Sequence, residues 1–213
     1  TDSTLVYNWA GGIVGYNNAG AIVANCVFED SSVGDDKTVS EFYYYVQYAG
    51  GIAGGNEGSI SSCTVSGKKN DNRFTVYGAM MIGGITGTQR GSGSITDCTV
   101  SGTKIYAEYD QCGGLAGEIT GGSISGCSVG GNTEIEAKQY VGGIIGRAVT
   151  SVNYTVSDCR VDNTVNMWWD PNWRGNPERD IRVGQFIGNP GDHGSITWIT
   201  GSTSEVIINT YPK

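Results

Sequence analysis

Histidine is almost missing from this chain of 213 residues: His193 is the only one. It stands in Gly191-Asp192-His193-Gly194, a stretch that reads as a turn, so hydrolysis by a Ser-His-Asp set has no base to work with. Proline is scarce as well, with four residues against 35 glycines, and glycine without a proline period excludes a collagen-like chain. Charged residues make up 16%, where an ordinary soluble domain carries about a quarter. The net charge is −8 and no Lys/Arg cluster occurs, so the positive footprint that nucleic acid or an anionic membrane demands is lacking. No apolar run approaches the roughly 20 residues of a membrane helix. Nothing in the composition calls for a cofactor.

What is abundant is glycine in a fixed pattern. Near copies of one stretch begin at Gly11 (GGIVG), Gly50 (GGIAG), Gly83 (GGITG), Gly113 (GGLAG), Gly142 (GGIIG) and Gly184 (GQFIG), roughly thirty to forty residues apart, a repeat-protein period. About a dozen residues after each comes a second signature: IVANCVF from Ile22, SISSCTV from Ser59, SITDCTV from Ser94, SISGCSV from Ser123, TVSDCRV from Thr155 and SITWITG from Ser195. A looser β segment follows, such as Thr103-Lys104-Ile105-Tyr106-Ala107. Three short strands per repeat, always in one order, predict an all-β fold: a parallel β-helix of about six three-stranded coils, right-handed by the crossover rule, forming one domain over residues 1–213.

The glycine pair is expected to be a corner. The residue before it is apolar (Ala10, Ala49, Ile82, Cys112, Val141, Val183) and so is the third motif position (Ile13, Ile52, Ile85, Leu115, Ile144, Phe186). Those positions have opposite parity and point to one side only if the chain bends between them. The structural glycines are therefore Gly50, Gly51, Gly83, Gly84, Gly113, Gly114, Gly142 and Gly143, with backbone angles closed to a side chain as the expected reason. Gln185 replaces the second glycine of the last copy and is expected to point outward. Two repeats are lengthened, near 29–48 and 162–182, and the extra residues are expected to project as loops. Both chain ends look like ordinary repeat strands rather than polar caps, and Thr1-Asp2-Ser3-Thr4 opens no export signal. The expectation is a piece of a longer chain, with end-to-end contacts to other domains or copies.

The GGIVG-type signature at this period resembles the GLUG motif, a bacterial repeat of surface adhesins and of non-catalytic regions of immunoglobulin A proteases. The likeness runs from Ala10 to about Gly201. It implies an exported protein, extracellular or on the bacterial cell surface, and it brings no catalytic residues. The Gln185-Phe186 variant and the two long insertions depart from it.

Cys26, Cys63, Cys98, Cys127 and Cys159 hold one equivalent slot, which Ile199 takes in the last copy. A slot that accepts Ile faces inward, so a ladder of buried free thiols is expected rather than disulfides. Tetrahedral metal ligation lacks both the spacing and the histidines. Carboxylates from adjacent coils, such as Asp97, Asp110 and Glu118 or Asp158 and Asp162, would suit glycoside chemistry only if they converged. The best functional lead is aromatic. Trp168, Trp169 and Trp173 lie among Asp170, Asn172, Arg174 and Gly175, a loop setting with two readings: an exposed platform that stacks on sugar rings or anchors a protein partner, with Asp170 and Arg174 as hydrogen-bonding neighbours, or a lid that folds back and buries its tryptophans against the side of the solenoid. Tyr43, Tyr44 and Tyr45 form a second aromatic run. The expected function is a surface binding or adhesion module whose partner is a host or environmental glycan or a surface protein. A polysaccharide lyase or hydrolase on a β-helix and a structural spacer are the competing readings.

Overall fold

A computed structural model describes residues 8–34, 46–67, 75–149, 153–162, 164–169, 183–184, 186–189 and 207–210. It is a parallel β-solenoid without helix in the described residues. Every strand pair is parallel and joins equivalent positions of successive turns.

A turn carries five short strands where three were expected. The third turn shows them in order: Met81–Gly83, Thr86–Gln89, Ser94–Thr96, Thr99–Ser101 and Lys104–Ala107. Stacked over successive turns, these five make sheets A to E. Sheets A and B contain six strands and sheets C, D and E five. Strands in all five sheets occur in four successive turns, from Tyr48–Gly50 through Asn166–Trp169; the first turn adds four strands and the last three. The regular solenoid is thus shorter than six full coils. The expected strands were too long because each signature is broken by a corner. SITDCTV is one strand of sheet C and one of sheet D, separated at a residue in the left-handed region: Asn25, Ser62, Asp97, Gly126 and Asp158 have φ between 52° and 64°. Asn, Asp and Gly are the residues that adopt this conformation most readily.

The glycine pair is a corner, for a different reason from the one expected. In the second turn sheet A ends at Gly50, sheet B starts at Ala53, and Gly51-Ile52 form the bend. Ala49, Ile52 and Ala53 are all fully buried, so the bend does turn both apolar positions inward. No glycine of the pairs has positive φ among the described residues. Space decides instead: a Cβ on Gly50 would stand 2.1 Å from the Ala53 carbonyl oxygen, and one on Gly51 would stand 2.5 Å from the Gly84 oxygen. The last glycine of the motif folds sheet B back onto sheet A of the preceding turn, since a Cβ on Gly54 would meet the Ala10 nitrogen at 2.7 Å and one on Gly117 the Ile82 nitrogen at 2.3 Å. Gln185 lies outside the described residues.

The core is a set of inward columns. Ile52, Ile85, Leu115 and Ile144 follow the corner; Ile60, Ile95, Ile124 and Val156 line sheet C; Val76, Ile105, Ile135 and Met167 line sheet E, all at 0–1% exposure. Burying each such side chain is worth about 1.5–3 kcal/mol relative to leaving it exposed. Polar groups also enter the core, and some of them pair across turns, while Thr88 Oγ1, Gln89 Nε2 and Gln111 Oε1 are buried without a hydrogen bond among the described residues. Asn17 donates to Asn56 (2.7 Å) and Asn56 to Gln89 (2.8 Å) across three turns, while the Thr103 hydroxyl donates to Thr133 (3.3 Å).

The cysteine slot is inward as expected. All six cysteines are free thiols, five of them buried and Cys26 half-buried at the first turn. Each thiol of the ladder donates to the carbonyl two residues back, Cys63 to Ser61 (3.2 Å), Cys98 to Thr96 (3.3 Å), Cys127 to Ser125 (3.2 Å). The Cys98 amide in turn donates to the Cys127 sulfur at 3.3 Å. The thiols thereby add a second donor to carbonyls that already accept an amide of the preceding turn, as Thr96 does from Ser62 and Ser125 from Asp97, both at 3.0 Å.

The described residues inside the two expected insertions, near 29–48 and 162–182, follow the regular path. Val27–Glu29 is a sheet D strand and Val33 bridges Val76, so the regular path continues to Gly34, and 35–45, including Tyr43, Tyr44 and Tyr45, lies outside the described residues. Asn166–Trp169 is a regular sheet E strand, and 170–182 lies outside them too.

Candidate functional site

The sheet E strand Asn166–Trp169 pairs with Glu134–Glu136, that strand with Lys104–Ala107, and that one with Val76–Gly78. The alternation of a strand then sorts the residues. Since Val76, Ile105, Ile135 and Met167 are buried inward, the registered neighbours Tyr77, Tyr106, Glu136 and Trp168 form one column on the outer face. Trp168 therefore belongs to a strand and not to a loop, and Trp169 shares that strand. The missed signal is Val165-x-Met167, which repeats the inward pair Thr133-x-Ile135. Asp170, Trp173 and Arg174 lie outside the described residues.

Polar groups border this column. The Tyr77 and Tyr106 rings lie 6.4 Å apart at 44°. The Tyr106 hydroxyl donates to Glu108 at 2.6 Å, and burial together with that carboxylate raises the phenol far above its ordinary range. Lys138 holds the other Glu108 oxygen at 3.0 Å and sits 4.9 Å from the centre of the Tyr109 ring. Lys104 pairs with Glu134 at 3.4 Å. Tyr77, Glu136 and Trp168 are half-buried and Tyr106 is buried at 5%. The result is a row of aromatic rings crossed by carboxylates and ammonium groups, a surface able to stack on apolar ring faces and to exchange hydrogen bonds with hydroxyls.

A second aromatic cluster lies on sheets A and B and is packed on itself. Trp9 stacks on Tyr48 (4.0 Å, 20°), meets the edge of Tyr16 (4.9 Å) and carries the Arg90 guanidinium over its ring (5.6 Å). The floor of this cluster is glycine: a Cβ on Gly55 would strike Trp9 at 2.5 Å and Tyr16 at 2.7 Å. Burial and the Glu57 carboxylate raise the Tyr16 phenol.

The carboxylates considered for glycoside chemistry are spread over the turn. Asp97 and Asp158 occupy the corner between sheets C and D. Asp162 binds the Gly131 amide at 3.3 Å and the Thr164 amide at 2.9 Å, a turn-closing role. Asp110 precedes sheet A, and Glu118 is on sheet B, 8% exposed, 3.8 Å from Arg147. Asp97 shares no sheet with the other two. Burial raises the Glu118 carboxyl, and the nearby Arg147 and Arg90 oppose that shift. Among the described residues no three His, Cys, Asp or Glu side chains gather to hold a metal ion, and no helix is long and apolar enough to cross a membrane.

No curated protein and no solved structure matches the chain. The GLUG motif model matches residues 45–70 and 78–106, the first four strands of the second turn and the third turn up to its sheet E strand, so these two stretches of the chain are similar to the GLUG motif.

Proposed function

We propose that the protein is a bacterial surface binding module that holds neutral glycans along the outer face of sheet E. The observation that carries this reading is the registered column Tyr77, Tyr106, Glu136, Trp168, in which the half-buried Tyr77 and Trp168 are the rings open to a ligand, beside carboxylate and ammonium groups, while Tyr106 is buried. A net charge of −8 gives no attraction to sulfated or uronic polymers, which favours uncharged sugars. A surface role accords with the GLUG motif and with a repeat architecture that exposes long side faces.

The test is a glycan array probed with the wild type and with a Tyr77→Ala, Trp168→Ala double variant. Loss of neutral-glycan signals by at least about tenfold, with a small change in melting temperature, supports the reading, since stacking contacts dominate such sites. Unchanged binding overturns it. If the double variant unfolds, the single change Glu136→Gln takes its place, and unaltered binding there counts against the reading.

A further inference from the structure

The first turn of the solenoid differs from those that follow. Its inward residues Ala10, Ile13, Val14, Cys26 and Phe28 keep contact with solvent, Ile13 at 42% exposure, whereas their counterparts one turn on, Ala49, Ile52, Ala53, Cys63 and Val65, are 0–1% exposed. The large hydrophobic side chains that are exposed among the described residues, Ile13, Ile22 (75%) and Val27 (58%), all belong to this turn. Ile22 and Val27 are not core residues left open. They point outward in register with Ser59 and Thr64, at positions where the later turns carry Ser, Thr or Arg. The apolar character is therefore written into the residues of this turn and does not follow from its place in the stack alone. Charge sets it apart as well: no Asp, Glu, Lys or Arg occurs between Asn8 and Phe28, while the later turns carry charges such as Glu57, Arg90, Glu118 and Arg147.

The backbone of this turn is open too. Trp9–Gly11, Val14–Asn17, Ile22–Ala24 and Val27–Glu29 stand at the ends of sheets A to D and pair on one side only among the described residues. None of them contains the lysine or proline that commonly blunts a sheet edge. An uncharged apolar end on a chain of net charge −8 discriminates between occupants. A basic partner gains nothing there, because the acidic groups that would attract it lie on the other turns. A second copy of the chain is repelled by the acidic surface of the first and meets the least repulsion at this turn. Like against like, the two first turns bury aliphatic side chains on one another and give each open strand edge a hydrogen-bonding neighbour. The turn from Asn8 to Phe28 supplies about 20 residues, close to what one partner gives to a standard interface, about 20–30. A contact made of the same surface twice is self-complementary and closes at two copies.

We infer that the protein pairs with a second copy of itself, first turn against first turn, about a two-fold axis. Ile13 and its inward neighbours in one copy close the open core of the other, and Ile22 and Val27 extend the contact around the corner between sheets C and D. The sheet E column of Tyr77, Tyr106, Glu136 and Trp168 lies on later turns, so pairing and glycan binding can fail separately.

The test is sedimentation velocity with light scattering on the full chain over a wide range of concentration. The mass is expected to rise from 22.4 kDa to twice that value and to stop there. An Ile22→Glu, Val27→Glu variant is expected to stay monomeric where the wild type is paired, since the change places carboxylates in an apolar contact. An Ile22→Ser, Val27→Thr variant takes the residues that the next turn has at the registered positions, and its pairing is expected to weaken by at least about tenfold through lost apolar burial. Thr96→Glu with Ser125→Glu adds the same charge to the outer face of sheet C in later turns and is expected to pair like the wild type. A wild type that is monomeric throughout, growth beyond two copies, unchanged pairing of either first-turn variant, or equal loss in the sheet C variant overturns the proposal. Should the glutamate variant melt below the wild type, the serine and threonine variant decides alone.

Discussion

Adding one methyl group at Gly142 separates two explanations of the repeat motif. If the glycines were chosen for backbone angles, alanine would be harmful only where φ is positive, and Gly142 is not among the positive-φ glycines. At a compatible φ with open space around it, Gly→Ala stabilises by about 0.4–1 kcal/mol through the unfolded chain. The structure predicts the opposite sign. A Cβ on Gly142 would lie 1.9 Å from the Ile145 carbonyl oxygen and 2.7 Å from the Gly188 nitrogen, both backbone atoms held by the sheets, so relief requires moving a corner. Overpacking of this kind costs about 1–3 kcal/mol, and two rigid contacts put Gly142→Ala near the upper end, about 3 kcal/mol. Gly15→Ala is the control: it holds the last motif position of the first turn, its nearest neighbour would be the Trp9 oxygen at 3.5 Å, and it is expected to be neutral or slightly stabilising. Gly130→Ser falls between them at about 1 kcal/mol, because the atoms it meets at 2.0–2.6 Å are the Asp162 carboxylate, which can swing away at the cost of a hydrogen bond or two. Urea unfolding of the three variants, with m-values compared, checks the order. Equal effects at Gly142 and Gly15, or stabilisation by Gly142→Ala, would refute the steric account.

Cys127→Ala should destabilise by about 1–2 kcal/mol through a small cavity and a lost thiol–carbonyl bond, and the wild-type melting temperature should not change with reductant; a clear fall on reduction would show that the ladder is oxidised. Glu118 has a raised carboxyl pKa in the folded state, so its contribution favours folding below the unfolded value and is lost as pH rises through the folded one. Glu118→Gln is accordingly expected to be more stable than the wild type near pH 7, with the difference shrinking on acidification below the carboxylate range; denaturation at both pH values decides, and a less stable variant at pH 7 would mean that the Arg147 pair outweighs burial.

The repeat and its inward residues could be read from the sequence because both depend on periodicity. Ala49, Ile52, Ile60, Cys63 and Val65 recur in every full turn and are buried where their spacing puts them. The corners were harder to see. Five left-handed residues directly precede the five ladder cysteines, and their identities, Asn25, Ser62, Asp97, Gly126 and Asp158, mark a bend that hydrophobic spacing alone joins into one strand. The glycines were placed correctly but explained by dihedral freedom, since the approach of the next turn's carbonyl has no signature in one repeat taken alone. The buried Asn17, Asn56 and Gln89 ladder is hidden in the sequence for a similar reason: a polar residue in a short strand reads as outward unless its partners in the other turns are known. Trp168 was misplaced because its polar and Pro-containing neighbours outweighed the Val165-x-Met167 alternation that sets it on a strand.

The claim that the sheet E column is the binding face is tested most directly by an amide-resolved NMR titration of the folded protein with the strongest neutral glycan from the array. The account predicts shift changes concentrated at residues 75–78, 104–109, 134–138 and 166–168, with the Tyr77 and Tyr106 ring signals among the most affected. Changes confined to the Trp9, Tyr16 and Tyr48 cluster, or spread evenly over the solenoid, would contradict it.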